Sequence, residues 1–189
     1  MASGREREKK KSCIEEIIEK VKQRLQGWEM KTLAQVGRAT LISSMAASIP
    51  TYQASSLLLS KQVCSKLDAL NHKFWWGFKE ENKKNGVCLK SWDSICTPKA
   101  AGGLGLKKTE DMNRALVEKL TWDVASNADN PWVEIFKKKN VRGRNFMKMP
   151  MPKSITWTSQ SIFECRDVIK NGLCHKRGNG WNTWILEDS

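Results

Sequence analysis

The chain has 189 residues, enough for one ordinary domain or two small ones. Its 40% hydrophobic and 28% charged residues make a globular composition, and no run approaches the roughly 20 apolar residues of a membrane span. With 33 Lys and Arg against 20 Asp and Glu, the formal charge of +13 favours polyanions, either nucleic acid or an anionic membrane face.

Residues 1–11 read as a basic lead-in. They contain no apolar stretch and carry acids, so neither a secretory signal nor a transit peptide is expected, and the compartment is nuclear or cytoplasmic. A first helix is predicted from Ser12, where Ser12 and Glu15 form a capping-box pattern, to Gly27. Ile14, Ile17, Ile18, Val21 and Leu25 give it one apolar stripe. A second helix is predicted from Met30 to Ser48, with Leu33, Val36, Leu41, Met45 and Ile49 inward, and Pro50 ends it. A third runs from Lys61 to Trp76 with Val63, Leu67, Leu70 and Phe74 on one face, widened by Cys64 and Trp75. Three such helices bury their stripes by packing together, so residues 12–78 form one helical bundle.

Residues 79–149 change character. Val87 to Leu89 could form a short strand, Trp92 to Cys96 a helical turn, and Gly102, Gly103 and Gly105 a loop of positive-φ positions. Thr109 caps a fourth helix, with Glu110 and Asp111 in its first turn and Met112, Leu116, Leu120 and Val124 on its face. Asn130-Pro131 starts a short helix containing Trp132, Ile135 and Phe136. In the last segment, 150–189, Pro150-Met151-Pro152 marks a linker and a helix follows from Thr156 to Asn171. A β-hairpin around Gly178-Asn179-Gly180 ends the chain. The fold class is mainly α with this one hairpin.

No catalytic set emerges. A polymerase needs clustered carboxylates to hold divalent metal, and the chain has no Asp-Asp dipeptide. Asp68, Asp93, Asp111, Asp123 and Asp129 read as helix-surface or capping residues. Cys174-His175 are strand neighbours pointing to opposite faces, which suits no thiolate–imidazole pair. The six cysteines lack the paired spacing of a zinc site and read as reduced thiols, so no metal and no cofactor is expected. The glycine loop is no nucleotide fingerprint, although a phosphate could approach its backbone beside Lys99, Lys107 and Lys108. Phe74 and Trp75 read as core. Trp76 is the one of the three that could stack a base. Arg38, read as lying opposite the apolar stripe, could clamp a phosphate together with Lys31, or form a surface salt bridge of little worth.

Several short segments, taken in order, resemble a known family. They are Leu25-Gln26-Gly27-Trp28, Gly37-Arg38 with Leu41-Ile42, Ser48-Ile49-Pro50-Thr51-Tyr52, Phe74-Trp75-Trp76-Gly77, Trp92-Asp93 with Cys96, and Pro98-Lys99 with Gly102-Gly103-Leu104-Gly105. Asn113 with Ala115-Leu116, then Trp157, Arg166, and Gly178-Asn179-Gly180 with Trp184, complete the set. Together they resemble the portion that follows the palm in reverse transcriptases of plant LINE-type (non-LTR) retroelements. The resemblance implies that the first three helices are a thumb, gripping a template–primer duplex through its backbone. It brings Arg38 to the Arg that follows the family's Gly, with Lys31 in the same helix.

Fingers, palm and RNase H-like domain have no counterpart in the sequence. The expectation is therefore a truncated, non-catalytic fragment that holds an RNA or DNA backbone without sequence preference. The candidate contacts are Lys31, Arg38, Trp76, Lys99, Lys107 and Lys108. A different class of reading is a decayed reading frame, or a helical module whose bare palm-facing surface takes a protein partner.

Overall fold

A computed structural model of the chain describes residues 4–29, 33–48, 55–77 and 88–172, with side chains for 12–28, 33–44, 55–77 and 88–172. The described residues are mainly helical and contain no strand. Two compact units divide the chain, Met1–Leu116 and Val117–Ser189.

In the first unit, α1 spans Gly4–Glu29. It begins well before Ser12 and runs through Gly27, so the expected capping box and glycine stop are both corrected. Arg, Glu and Lys are good helix formers, and they extend the helix through the charged lead-in. Nothing approaches Gly27 within 4 Å, so its missing side chain serves no contact there. The second helix, α2, spans Gln35–Ser48, leaving Leu33 and Ala34 outside it. Its inward residue is Ile42, 1% exposed, whereas Val36 is 77% exposed. Of the stripe read from the sequence, Leu33 and Leu41 pack against the core and Val36 does not; Ile42, the most buried residue of α2, is not part of it, and the side chains of Met45 and Ile49 lie outside the described residues.

The third helix, α3, spans Lys61–Trp76, as expected. Its buried side chains are Val63, Cys64, Leu67, Asn71, Phe74 and Trp75. It packs against both α1 and α2. Val21, Leu25, Ile42, Leu67 and Phe74 belong to one core that extends to Ile95 of α4 (Trp92–Cys96) and to Leu106. Ser91 caps α4 through its hydroxyl, which accepts from Ser94 N–H. The predicted strand does not form at Cys88 and Leu89, which are irregular; Val87 lies outside the described residues.

The fifth helix, α5, spans Thr109–Ala125, and the division between the units falls inside it. Its buried line is Asn113, Val117, Thr121 and Val124, so the predicted face is corrected by about one residue over most of its length. Two polar side chains sit in that line because each has backbone partners. Asn113 accepts from Leu59 N–H at 2.9 Å and donates to the Leu57 carbonyl at 2.8 Å. The Thr121 hydroxyl lies 2.9 Å from the Val117 carbonyl and 3.3 Å from that of Ile162. A hydrophobicity pattern cannot register such residues as interior.

In the second unit, α6 (Pro131–Phe136) carries proline in its first turn. It continues into a π-helical turn, Lys137–Val141. The expected long last helix is two, α7 (Trp157–Glu164) and α8 (Arg166–Gly172), interrupted at the buried Cys165. Phe136, Phe146 and Phe163 are mutual ring neighbours, with centroids 5.2–6.2 Å apart, inside a core shared with Val124, Val141 and Ile162. The hairpin expected around Gly178-Asn179-Gly180 lies outside the described residues, as do Cys174 and His175.

Candidate nucleic-acid interface

Arg38 stands one turn before Ile42 on α2, so it shares the inward face. Its guanidinium is half-buried and donates to the Trp75 carbonyl at 3.3 Å, at the C-terminal end of α3. That end is closed by Gly77, left-handed at φ 70°, whose N–H returns to the Phe74 carbonyl at 3.0 Å. A Cβ on Gly77 would lie 2.2 Å from Arg38 Nη1. Arg38 therefore offers a cation to the negative end of a helix dipole, and the glycine supplies the room. The expectation that Arg38 faces away from the stripe is corrected. Lys31 lies outside the described residues.

Trp76 sits at the same end of α3, half-buried and edge-on to His72 with ring centroids 6.4 Å apart. Its indole N–H donates to His72 Nε2 at 2.9 Å. The same nitrogen is 3.0 Å from the Lys90 carbonyl. One nitrogen cannot accept from Trp76 and donate to Lys90 at once, so the histidine tautomer selects which contact forms. Trp92 flanks His72 at 5.9 Å.

Lys99, Lys107 and Lys108 come from the glycine loop and its exit. Lys99 and Lys107 are exposed. Lys108 pairs with Asp93 at 2.6 Å, which raises its pKa above the ordinary lysine value. The loop is rigid for a visible reason. The N–H groups of Ala101, Gly102, Gly103, Leu104 and Gly105 all donate to carbonyls of the same segment, those of Pro98, Lys99, Pro98, Ile95 and Thr97 in turn. A Cβ on Gly103 would lie 2.0 Å from the Thr97 carbonyl oxygen. These five amides point into the loop, so it is no backbone cradle for phosphate. What it holds outward is lysine.

Asp68 of α3 accepts from the Thr109 hydroxyl at 2.6 Å and the Thr109 N–H at 3.1 Å. Thr109, expected as a cap itself, is capped from another helix. Burial raises the Asp68 pKa above the usual carboxylate value; the Thr109 bonds, the Trp92 indole and Lys108 pull it back only in part. Burial is also the main reason that the Cys64 and Cys96 thiols are each pushed up to about 11. Among the described residues no three His, Cys, Asp or Glu side chains are grouped to hold a metal ion. No helix among them is long and apolar enough to cross a membrane.

One basic feature escaped the sequence reading. Residues 137–148 hold six Lys and Arg and no Asp or Glu. The signal was a plain count of charge in a window, which reading for apolar periodicity passes over. Lys138 pairs with Glu134 at 2.6 Å, and Lys137 donates to Asn127. Lys139, Arg142 and Arg144 are exposed.

The chain is similar to a protein of Arabidopsis thaliana provisionally named a ribonuclease H protein, 34% identical over 174 residues, which are 90% of this chain and 28% of that protein. It is also similar to an uncharacterized mitochondrial protein of the same plant, 24% identical over 149 residues, which are 75% of this chain and 96% of the other. The chain thus spans little more than a quarter of the length of the first relative and nearly all of the second. No family profile and no solved structure matches.

Proposed function

We propose that this chain is a retroelement-derived fragment, of LINE-type reverse transcriptase ancestry, that grips the phosphate backbone of RNA or DNA without sequence preference and performs no chemistry on it. One observation carries the reading. Several of the residues that bear the resemblance build the fold: Arg38 and Gly77 close α3, Gly103 locks onto Thr97, and Asn113 holds Leu57 and Leu59. The likeness is to an architecture, and this architecture carries a charge of +13. Lys99 and Lys107 stand on and beside a loop whose amides 101–105 are all bonded within the segment, where ordering a side chain against phosphate loses little backbone freedom. Lys31, Arg38, Trp76 and Lys108 remain secondary contacts in the proposal, since the last three already have protein partners.

The test is a titration with single-stranded RNA and duplex DNA between about 50 and 200 mM salt. The reading requires an affinity that falls steeply with salt and changes little with base sequence. Binding that is absent, or no stronger than for an unrelated protein of equal charge, returns the chain to a protein-interaction module or a decayed reading frame. The name of the first relative raises a second assay, magnesium-dependent cleavage of an RNA–DNA hybrid. The reading expects no cleavage and no primer extension, and turnover in either overturns it.

A further inference from the structure

We infer that the turn 137–148 of the second unit is a phosphate-binding corner for a nucleic-acid backbone, in addition to the lysines of the glycine loop. The inference rests on the nucleic-acid reading above and deepens it. Three observations carry it. The first is excess charge: six cations and no acid lie in one segment, and although Lys138 pairs with Glu134, Lys139, Arg142 and Arg144 are exposed.

The second is geometry. The π-helical turn ends with the Arg142 N–H on the Lys137 carbonyl at 2.8 Å, and the chain then turns through two left-handed residues, Arg142 at φ 51° and Gly143 at φ 76°. A non-glycine residue in that region is uncommon and costs backbone energy, and such positions gather at functional sites. The Arg142 guanidinium Nε donates to the Lys139 carbonyl at 3.3 Å, holding the exposed side chain over the turn. The third is support from beneath. Val141, Phe146 and Met149 are buried, and Arg166 donates to the Phe146 and Met149 carbonyls at 2.9 and 2.5 Å. Lys139, Arg142 and Arg144 therefore project from a fixed turn. Arginine's forked donors suit phosphate oxygens, and a fixed platform lowers the ordering cost of binding.

Arg142 gives an unusually clean test. Arg142→Gly removes the charge and also suits the left-handed backbone, so the fold keeps or gains thermal stability while binding weakens. The probes are a fluorescein-labelled oligo(dT) strand and its hybrid with oligo(rA). Combining Arg142→Gly with Arg144→Gln should reduce the slope of log affinity against log salt by about two and weaken binding at least about tenfold at 0.1 M salt. Lys119→Gln with Lys170→Gln, which removes the same charge elsewhere in the unit, should change the slope by much less.

Equal losses from the two pairs overturn the corner while leaving the nucleic-acid function standing. If the unaltered chain binds neither probe in a salt-dependent way, the functional reading itself fails and the corner with it. If the corner pair abolishes binding to phosphatidylserine vesicles but leaves both probes unaffected, the corner belongs to a membrane surface and the inference is overturned.

Discussion

The two units use their polar side chains differently. In the first, single side chains reach across the sequence and fasten backbone: Arg38 to Trp75, Asp68 to Thr109, and Asn113 to Leu57 and Leu59. In the second, three phenylalanine rings anchor the core, Thr121 and Arg166 reach backbone carbonyls, and Lys139, Arg142 and Arg144 of the basic turn are left exposed. The comparison shows that net charge is a poor guide to where a polyanion would sit. What matters is which cations the fold has already used.

The sharpest way to break the comparison is Gly103→Ala. If the first unit depends on fastened backbone, a methyl group aimed at the Thr97 carbonyl cannot be absorbed by a moving side chain. The expected loss is about 3 kcal/mol, read by urea unfolding, with hydrogen exchange collapsing in the glycine loop and α4 before α7. Gly77→Ala is the milder companion, since the neighbour it meets is the end of the flexible Arg38 side chain and the remaining cost is the left-handed backbone, about 1 kcal/mol.

Thiol chemistry sharpens the same contrast. With the Cys64 and Cys96 thiols pushed up to about 11, two units above the ordinary value of 9.0, little thiolate is available near neutrality. Both are less accessible than the exposed Cys88 and should react with a disulfide reagent at least about tenfold more slowly. Mass spectrometry of partially labelled chain checks the order, and early labelling of Cys64 would show that the first unit opens readily.

In the second unit the corresponding weak point is Arg166. Its guanidinium donates to two carbonyls and stands 5.6 Å from the centre of the Phe163 ring. Arg166→Ala should cost about 2 kcal/mol by leaving those carbonyls short of a partner. Thermal unfolding followed by near-ultraviolet dichroism would record it, and a loss below a few tenths would mean that the rings alone hold the turn.

The sequence made the helical class legible because apolar spacing is a strong signal: α3 runs over the predicted residues, and most of its inward side chains were named. It failed where polar residues lie inside. Asn113 and Thr121 displaced the reading of α5, and Arg38 was placed on the wrong side of α2, because hydrogen bonds to distant carbonyls leave no trace in a periodic pattern. The break at Cys165 was equally invisible, since it places Arg166 where it reaches carbonyls some 20 residues earlier. Of the candidate contacts, the loop lysines were legible as surface charge. The 137–148 turn was equally legible but needed a count of charge rather than of apolar faces.

Asp68 offers the smallest effect and the most exacting one. Its carboxylate caps α5 from α3, yet burial raises its pKa above the usual value. For an acid, a folded-state pKa above the unfolded one means that the folded chain binds the proton more tightly. The contribution is therefore fully present below the unfolded pKa and is lost as pH rises through the folded one. Ionised Asp68 works as a cap against a desolvation cost, and acidification through that window should relieve the cost, opposite to the usual acid destabilisation by carboxylates. Asp68→Ala should lose about 1 kcal/mol by stranding the Thr109 N–H and hydroxyl. Asp68→Asn keeps an acceptor oxygen without a charge, so at neutral pH it should be near neutral or slightly stabilising, with the pH-dependent part gone. Urea midpoints for the three chains from pH 7 down to pH 4 separate the terms. If Asp68→Asn instead costs as much as Asp68→Ala and leaves the pH profile unchanged, the capping bond needs its charge and burial is the lesser influence.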